Sequence, residues 1–290
     1  VVNLLFFKGT KMSAYLVDSH CHLDCLKLKD WDNGLDGALQ DAKQLGVGHF
    51  LCVSITLEKY SKMLALVEDK ANVSVSVGVH PNEQHKHEPS VEELVELANA
   101  SDKVVAIGET GLDYFRSEGD LNWQRDRLRT HIAAAKHVNK PLIIHNRESS
   151  EDTLKILKEE GADEVGGVMH CFVENWDIAK QAMDLNFMIS LSGIVTFKTA
   201  TELQEVAKKL PLDFMLVETD SPYLAPVPFR GKVNQPGYVR YVAEHIASLR
   251  GTDVGIIAER TTENFFRLFR SAVAADNDVE IAPLPEKTKQ

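Results

Sequence analysis

The sequence predicts an α/β chain folded as a (β/α)8 TIM barrel. Three observations predict it. Eight short apolar runs of strand length alternate with helix-like stretches along the chain. Several of those runs are almost continuously apolar, as strands covered on both faces must be. Ligand-type side chains recur where the runs end, and such barrels carry their active sites at those ends.

The strand-like runs cover 15–18, 49–55, 73–79, 104–107, 141–144, 165–169, 187–191 and 214–217. The first helix, 34–45, stops at Gly46, and the second spans 57–69. Ser90-Val91-Glu92-Glu93 has capping-box spacing and opens a helix that runs to about residue 100. The longest helix, 121–138, ends before Asn139-Lys140-Pro141. The next, 149–160, stops at Gly161, and 175–185 begins on an Asn cap. Thr199 opens a Thr-x-x-Glu start for 199–210, and 238–249 and 253–269 close the array. A doubly wound open sheet is the runner-up, weakened because no Gly-x-Gly-x-x-Gly turn follows the first strand. No low-complexity linker interrupts the pattern. The expected division is therefore an extension over 1–13, with Met12 as the native start, one barrel over 14–272, and a disordered tail over 273–290.

At 290 residues, 44% hydrophobic and 26% charged, the chain has the composition of a globular protein with a sizeable core. No apolar stretch approaches the roughly 20 residues that span a bilayer. Cys21, Cys25, Cys52 and Cys171 form no Cys-x-x-Cys pair, which points to reduced thiols and a cytoplasmic location. The net charge of −11 argues against a DNA-coating surface. Any nucleic-acid contact is then local, at a short end held by a cation site. No membrane contact and no stable protein partner are expected.

The strand ends carry the chemistry. In Val17-Asp18-Ser19-His20-Cys21-His22, period two places Asp18, His20 and His22 on one face. Later runs end in His80, Glu109, His145, His170 and Asp220. A single histidine at a strand end is more often a hydrogen-bonded loop residue than a ligand. Recurrence at one structural level, on strands one, four, five, six and eight, points to a metal centre instead. Six ligands (His20, His22, Glu109, His145, His170 and Asp220) exceed the needs of one catalytic zinc and suit two ions. In the expected partition Glu109 bridges, one ion taking His20, His22 and Asp220, the other His145 and His170. Imidazole and carboxylate together admit Mg, Mn or Zn.

These motifs resemble those of a known family. VDSHCHLD, GVHP, IGETGLDY, IIHNRE, HCF and VETDSPYLAP, with RGKVNQP following, are similar to the TatD family of metal-dependent deoxyribonucleases, within it the YcfH-like branch. The resemblance runs from about residue 16 to 269 and implies a barrel of the metal-dependent hydrolase type. It implies 3′–5′ removal of nucleotides from DNA, with the six residues above as metal ligands. His-Asn-Arg-Glu-Ser stands where relatives often have His-Ser/Thr-Arg-Asp-Ala, a departure that keeps the His and the Arg.

The expected enzyme is thus a phosphodiester hydrolase, a 3′–5′ exodeoxyribonuclease acting on DNA ends, single-stranded, at a two-metal site. Asp220 orients the attacking water and accepts its proton. Arg147, Arg230 and Lys232 bind substrate and offset phosphoryl charge. His80 contacts phosphate or protonates the leaving group. Asp18 and Glu218 orient ligand histidines or simply fill the polar barrel interior, and Tyr114, Phe115 and Tyr223 offer stacking faces to terminal bases or pack at the barrel mouth. The alternative is an esterase or amidase such as a D-aminoacyl-tRNA deacylase. Relatives that open cyclic amides often carry a carboxylated Lys on strand four, where this chain has Glu109.

Overall fold

The computed structural model describes residues 15–83 and 88–274. The expected extension 1–13, and the expected tail apart from residues 273 and 274, lie outside them. In chain order the elements are β1 (Leu16–Cys21), α1 (Leu35–Gln44), β2 (Val47–Cys52), α2 (Leu57–Val67), β3 (Val73–Val77), α3 (Val91–Asn99), β4 (Val104–Asp113) and α4 (Asn122–Val138). There follow β5 (Leu142–Arg147), α5 (Ser150–Glu159), β6 (Gly167–Met169), α6 (Trp176–Asp184), β7 (Phe187–Leu191), α7 (Thr201–Lys209), β8 (Met215–Val217), α8 (Val239–Arg250) and α9 (Val254–Leu268). The strands pair in parallel, each with its neighbour in sequence, from β1 to β8. All eight predicted strands are present in a (β/α)8 barrel.

The period of two sorts the apolar side chains into two cores. Leu16, Phe50, Val75, Leu142, Met169 and Ile189 face the helix layer. Val17, Leu51, Val105, Ile143, Val168 and Leu216 fill the interior, where α9 adds Phe265 and its C-cap adds Phe269. His145 and His170 lie two residues beyond Ile143 and Val168, so they stack above the inner core at the strands' C-terminal ends.

Past β8 the barrel closes through backbone: Asp220 N–H donates to His20 O and His22 N–H to Ser221 O, at 2.9 and 2.8 Å. Asp18 reinforces the seam by accepting from the Thr219 amide and hydroxyl at 2.8 and 2.6 Å.

Three local expectations change. β4 runs past residue 107 to Asp113, because Thr110, Gly111 and Asp113 stay paired with β5 although the apolar run has ended. α7 begins at Thr201 and has no side-chain cap, so the Thr199 capping box does not form. The Ser90 and Asn175 caps do form. Asp18 leaves the histidine face: the β1–β2 register shifts between Asp18 and Cys21. Among the described residues no helix is long and apolar enough to cross a membrane.

Candidate metal centre

Two strand irregularities aim the side chains of the site. Before the shift in β1, Val17 joins the inner core; after it, Cys21 packs in the outer one, which turns His20 and His22 inward. A second shift, between Ile107 and Thr110 of β4, spans the inward-facing Glu109. Such bulges re-aim side chains beside functional sites. Asp220 has φ 56, a left-handed conformation that Asp tolerates better than most residues. It is held there by its own amide bond to His20 O and by the Tyr223 N–H donated to its carbonyl.

The six residues that the strand ends single out come together, with His80 beside them. Glu109 is central and buried. Its Oε2 lies 3.3 Å from His20 Nε2 and 4.0 Å from His22 Nε2. Its Oε1 lies 2.8 Å from His170 Nε2, 3.1 Å from His145 Nδ1 and 3.4 Å from His80 Nε2. Asp220 Oδ1 closes the first side, 3.3 Å from His22 Nε2 and 3.8 Å from His20 Nε2. Each oxygen of one carboxylate thus faces its own set of donors. Three compact ligand groups result: His20–His22–Asp220, His20–Glu109–His170 and His80–Glu109–His145.

The far nitrogens are mostly spoken for. His22 Nδ1 lies 3.0 Å from Val53 O. His170 Nδ1 lies 3.2 Å from Glu218 Oε1, which also accepts from the Cys171 amide. These bonds leave Nε2 of both rings facing the centre, the usual support for a metal-ligating histidine. Glu218 thus sits where it would orient His170, whereas Asp18 hydrogen-bonds no imidazole and ties the seam instead. His20 differs. It is 1% exposed, stacks on His170 at 3.8 Å between centroids, and makes no hydrogen bond from either ring nitrogen. A buried imidazole left so is costly unless something else takes its lone pair. Together with the mixed imidazole and carboxylate donors, that vacant valence fits a divalent cation.

The electrostatics show a cluster built around compensating charge. Burial alone would raise the Glu109 carboxyl, but His170, His80 and His145 more than offset it and hold the group well below its ordinary range. Burial likewise works against charge on His170, yet Glu109 and Glu218 push its pKa well up. Desolvation opposes protonated His22 too, and Asp220 raises it to about 8. His80 goes the other way: burial is the main cause that takes it down to about 3. Its Nδ1 accepts from the Asn82 amide at 3.0 Å, so the neutral ring carries its proton on Nε2. This favours His80 as a hydrogen-bond donor over both a metal ligand and an acid.

Arg147 stands exposed at the end of β5, with its guanidinium 4.3 Å over the Phe115 ring. Arg230 and Lys232 lie in the β8–α8 loop, Arg230 over Phe197 at 4.4 Å and Lys232 over Phe229 at 6.0 Å. Aromatic faces hold all three cations on the mouth side, and they touch none of the candidate ligands. Phe115 and Tyr223 are exposed, 55% and 50%. Tyr114 has one ring face covered by the Arg125 guanidinium, 5.4 Å from its centroid, and its hydroxyl tied to Asp152 at 2.6 Å. Sequence reasoning assigned no role to Asp113, Asn82 or Gln124. The signal for Asp113 was there: Glu109, Gly111 and Asp113 share one strand phase.

Known proteins match this arrangement over most of its length. Residues 17–270 match the family described as TatD related DNase. The metal-dependent hydrolase YcfH of Escherichia coli (strain K12) is 48% identical over 256 residues, covering 88% of this chain and 96% of YcfH. YabD of Bacillus subtilis (strain 168), also named a metal-dependent hydrolase, is 42% identical over 255 residues, covering 88% and 99% of the two chains. Among solved structures, YjjV of Escherichia coli K12, a TatD homolog, superposes with a TM-score of 0.79 at 29% identity, covering 89% of this chain and 98% of that one. With a family match that runs from within β1 through α9 and takes in Glu109 and the six residues around it, the chain belongs to the TatD family.

Proposed function

We propose that this chain is a metal-dependent hydrolase of phosphodiester bonds, a 3′–5′ exodeoxyribonuclease that works on single-stranded DNA ends with two divalent ions, Mg, Mn or Zn. The observation that carries the reading is the divided Glu109 carboxylate, with His20, His22 and Asp220 on one side and His145 and His170 on the other. The family's description as a DNase supplies the substrate class.

When bound, the ions supply Lewis-acid polarisation of a phosphoryl oxygen and a lowered pKa for water at neutral pH. Asp220, ionised beside His22, accepts the proton of the attacking water. His80 donates Nε2–H to a non-bridging phosphate oxygen. Arg147, Arg230 and Lys232 gather the strand at the mouth and offset its charge. Phe115 and Tyr223 present faces on which terminal bases stack, a contact suited to unpaired bases. The free Cys21, Cys25, Cys52 and Cys171 support a reducing, cytoplasmic setting.

One preparation decides the matter. Its metal content is measured as isolated, then it is assayed with added Mg, Mn or Zn on 3′-labelled and 5′-labelled single strands and on a D-aminoacyl-tRNA. The reading expects two ions per chain and mononucleotides released from the 3′ end. At most one ion in active protein rejects the two-ion site. Deacylation without DNA cleavage transfers the chain to the esterase class.

A further inference from the structure

We infer that Asp113 is the positioning residue of this centre: it fixes the proton of His145 on Nε2 and so leaves Nδ1 as the only nitrogen that ring can offer a cation. The inference rests on the reading of His145 as a ligand.

Asp113 is 1% exposed, and four donors saturate its carboxylate. Oδ1 accepts from the Phe115 and Arg116 amides at 3.1 and 2.8 Å. Oδ2 accepts from Asn82 Nδ2 at 2.8 Å and from His145 Nε2 at 3.1 Å. An ionised carboxylate only accepts, so the proton in the last bond belongs to the imidazole. His145 Nδ1 then faces Glu109 Oε1 at 3.1 Å.

A second layer keeps Asp113 still. Its own amide donates to Gln124 Oε1 at 3.0 Å. Gln124, fully buried in the first turn of α4, donates to Ser117 Oγ at 2.8 Å and Pro81 O at 3.1 Å. Ser117 donates to Asn82 Oδ1 at 3.2 Å, which completes the circuit. Because the Asn82 amide also holds His80 Nδ1, one frame sets two mouth histidines. Every group in it has a partner, so a ring flip of His145 breaks bonds that nothing replaces.

Asparagine at position 113 is nearly isosteric and inverts this logic. Its carbonyl takes the two loop amides, which turns its NH2 toward Asn82 Nδ2 and His145 Nε2. To accept from that NH2, His145 must move its proton to Nδ1, the nitrogen that faces Glu109.

The test uses the full chain. Free Mn2+ is followed by electron paramagnetic resonance during titration, and histidine tautomers are read by 15N NMR, with His145 assigned from the spectrum of His145→Ala. In the wild type with Mn-free Zn2+ bound, His145 is expected to keep its Nε2–H. Asp113→Asn is expected to weaken one of two Mn2+ sites about 10–100-fold. It should leave the other site and the circular dichroism spectrum unchanged, move the proton to Nδ1, and lower kcat with little change in KM. Wild-type Mn2+ affinity at both sites in Asp113→Asn overturns the inference. So does a wild-type His145 without Nε2–H, a measurement that needs no variant to fold. Should His145→Ala bind Mn2+ with wild-type stoichiometry, the ligand assignment itself fails, a different result from either.

Discussion

At the scale of single residues, the proposed mechanism gives Asp220 the proton transfer and His80 only a hydrogen bond to phosphate. Asp220 is held ionised, its pKa lowered against burial by its contact with His22, and its Oδ1 lies 3.3 Å from His22 Nε2, so an unprotonated oxygen faces the site. Replacing it by Asn removes the acceptor and keeps the shape, so turnover is expected to fall about 10²–10⁴-fold while the circular dichroism spectrum stays native. Single-turnover cleavage of labelled DNA checks this, and a rate within a few-fold of wild type removes Asp220 from the mechanism. His80 is a neutral donor whose pKa, near 3, puts its titration below the working range. His80→Ala is expected to cost about 10–100-fold in kcat/KM, the value of a hydrogen bond to a charged group. Because the ring stays neutral from pH 6 to 8, the factor should be the same at both. A loss that shrinks toward pH 8, where a protonated ring would be depleted, would mean that His80 does donate its proton to the leaving group. The residues that gather around Glu109 were legible in the sequence because ionisable side chains at apolar strand ends have few other reasons to recur. The frame behind them was not. Asn82, Ser117 and Gln124 are ordinary polar residues whose meaning lies in a circuit spanning two loops and a helix.

At the scale of elements, the close approach of β4 to β5 decides the geometry. Gly111 has φ 143, and a Cβ there would stand 1.9 Å from the carbonyl oxygen of His145. Gly111→Ala must therefore push β5 away from β4 or leave the strand phase that carries Glu109 and Asp113. The expected cost is about 3 kcal/mol or more, combining left-handed strain with backbone displacement. Thermal unfolding checks it, together with Mn2+ binding, which should weaken in parallel. A variant with native stability and affinity would mean that the strands separate without disturbing the site.

A second element-level prediction concerns α4. His131 is fully buried, donates Nδ1–H to Arg127 O at 2.8 Å and accepts the Val79 amide at 3.0 Å. Burial lowers its pKa from 6.5 to about 4. The neutral form is the folded one, so its stabilisation is fully present above pH 6.5 and is lost progressively as pH falls toward 4. Between pH 7 and 5 this group alone should remove roughly 2 kcal/mol. His131→Phe loses stability at pH 7, where the Val79 amide is left unpaired, but its further loss between pH 7 and 5 should be about that much smaller. Urea midpoints at the two pH values measure it. Sequence periodicity located α4 and its ends; it could not show that one of its histidines holds the backbone next to His80.

At the scale of the whole molecule, alternation of eight strand-like and helix-like stretches was enough to give the barrel. How the ends of the sheet meet was hidden, because the last contacts come from Asp220 and Ser221, residues outside any strand. That seam has a thermodynamic consequence. His20 and His22 belong to β1, and Asp220 to the segment that follows β8, so a cation held by these three links the two edges of the sheet. Glu109 Oε1, facing His145 and His170, adds β4, β5 and the end of β6 to the same ring of contacts. A ligand that binds only the assembled ring stabilises the fold by mass action, about 2.7 kcal/mol per ion at a hundred times its Kd. For a chain of this size each kcal/mol is worth about 2 °C in Tm. Saturating Mn2+ is therefore expected to raise Tm by about 5 °C per bound ion over chelator-treated protein. Asp220→Asn should lose that part of the rise which belongs to the seam ion and keep the part contributed across β4–β6. Calorimetric scans of both proteins, with chelator and with Mn2+, separate the two contributions. Equal Tm values for wild type in the two buffers would show that the barrel edges are held without any cation between them.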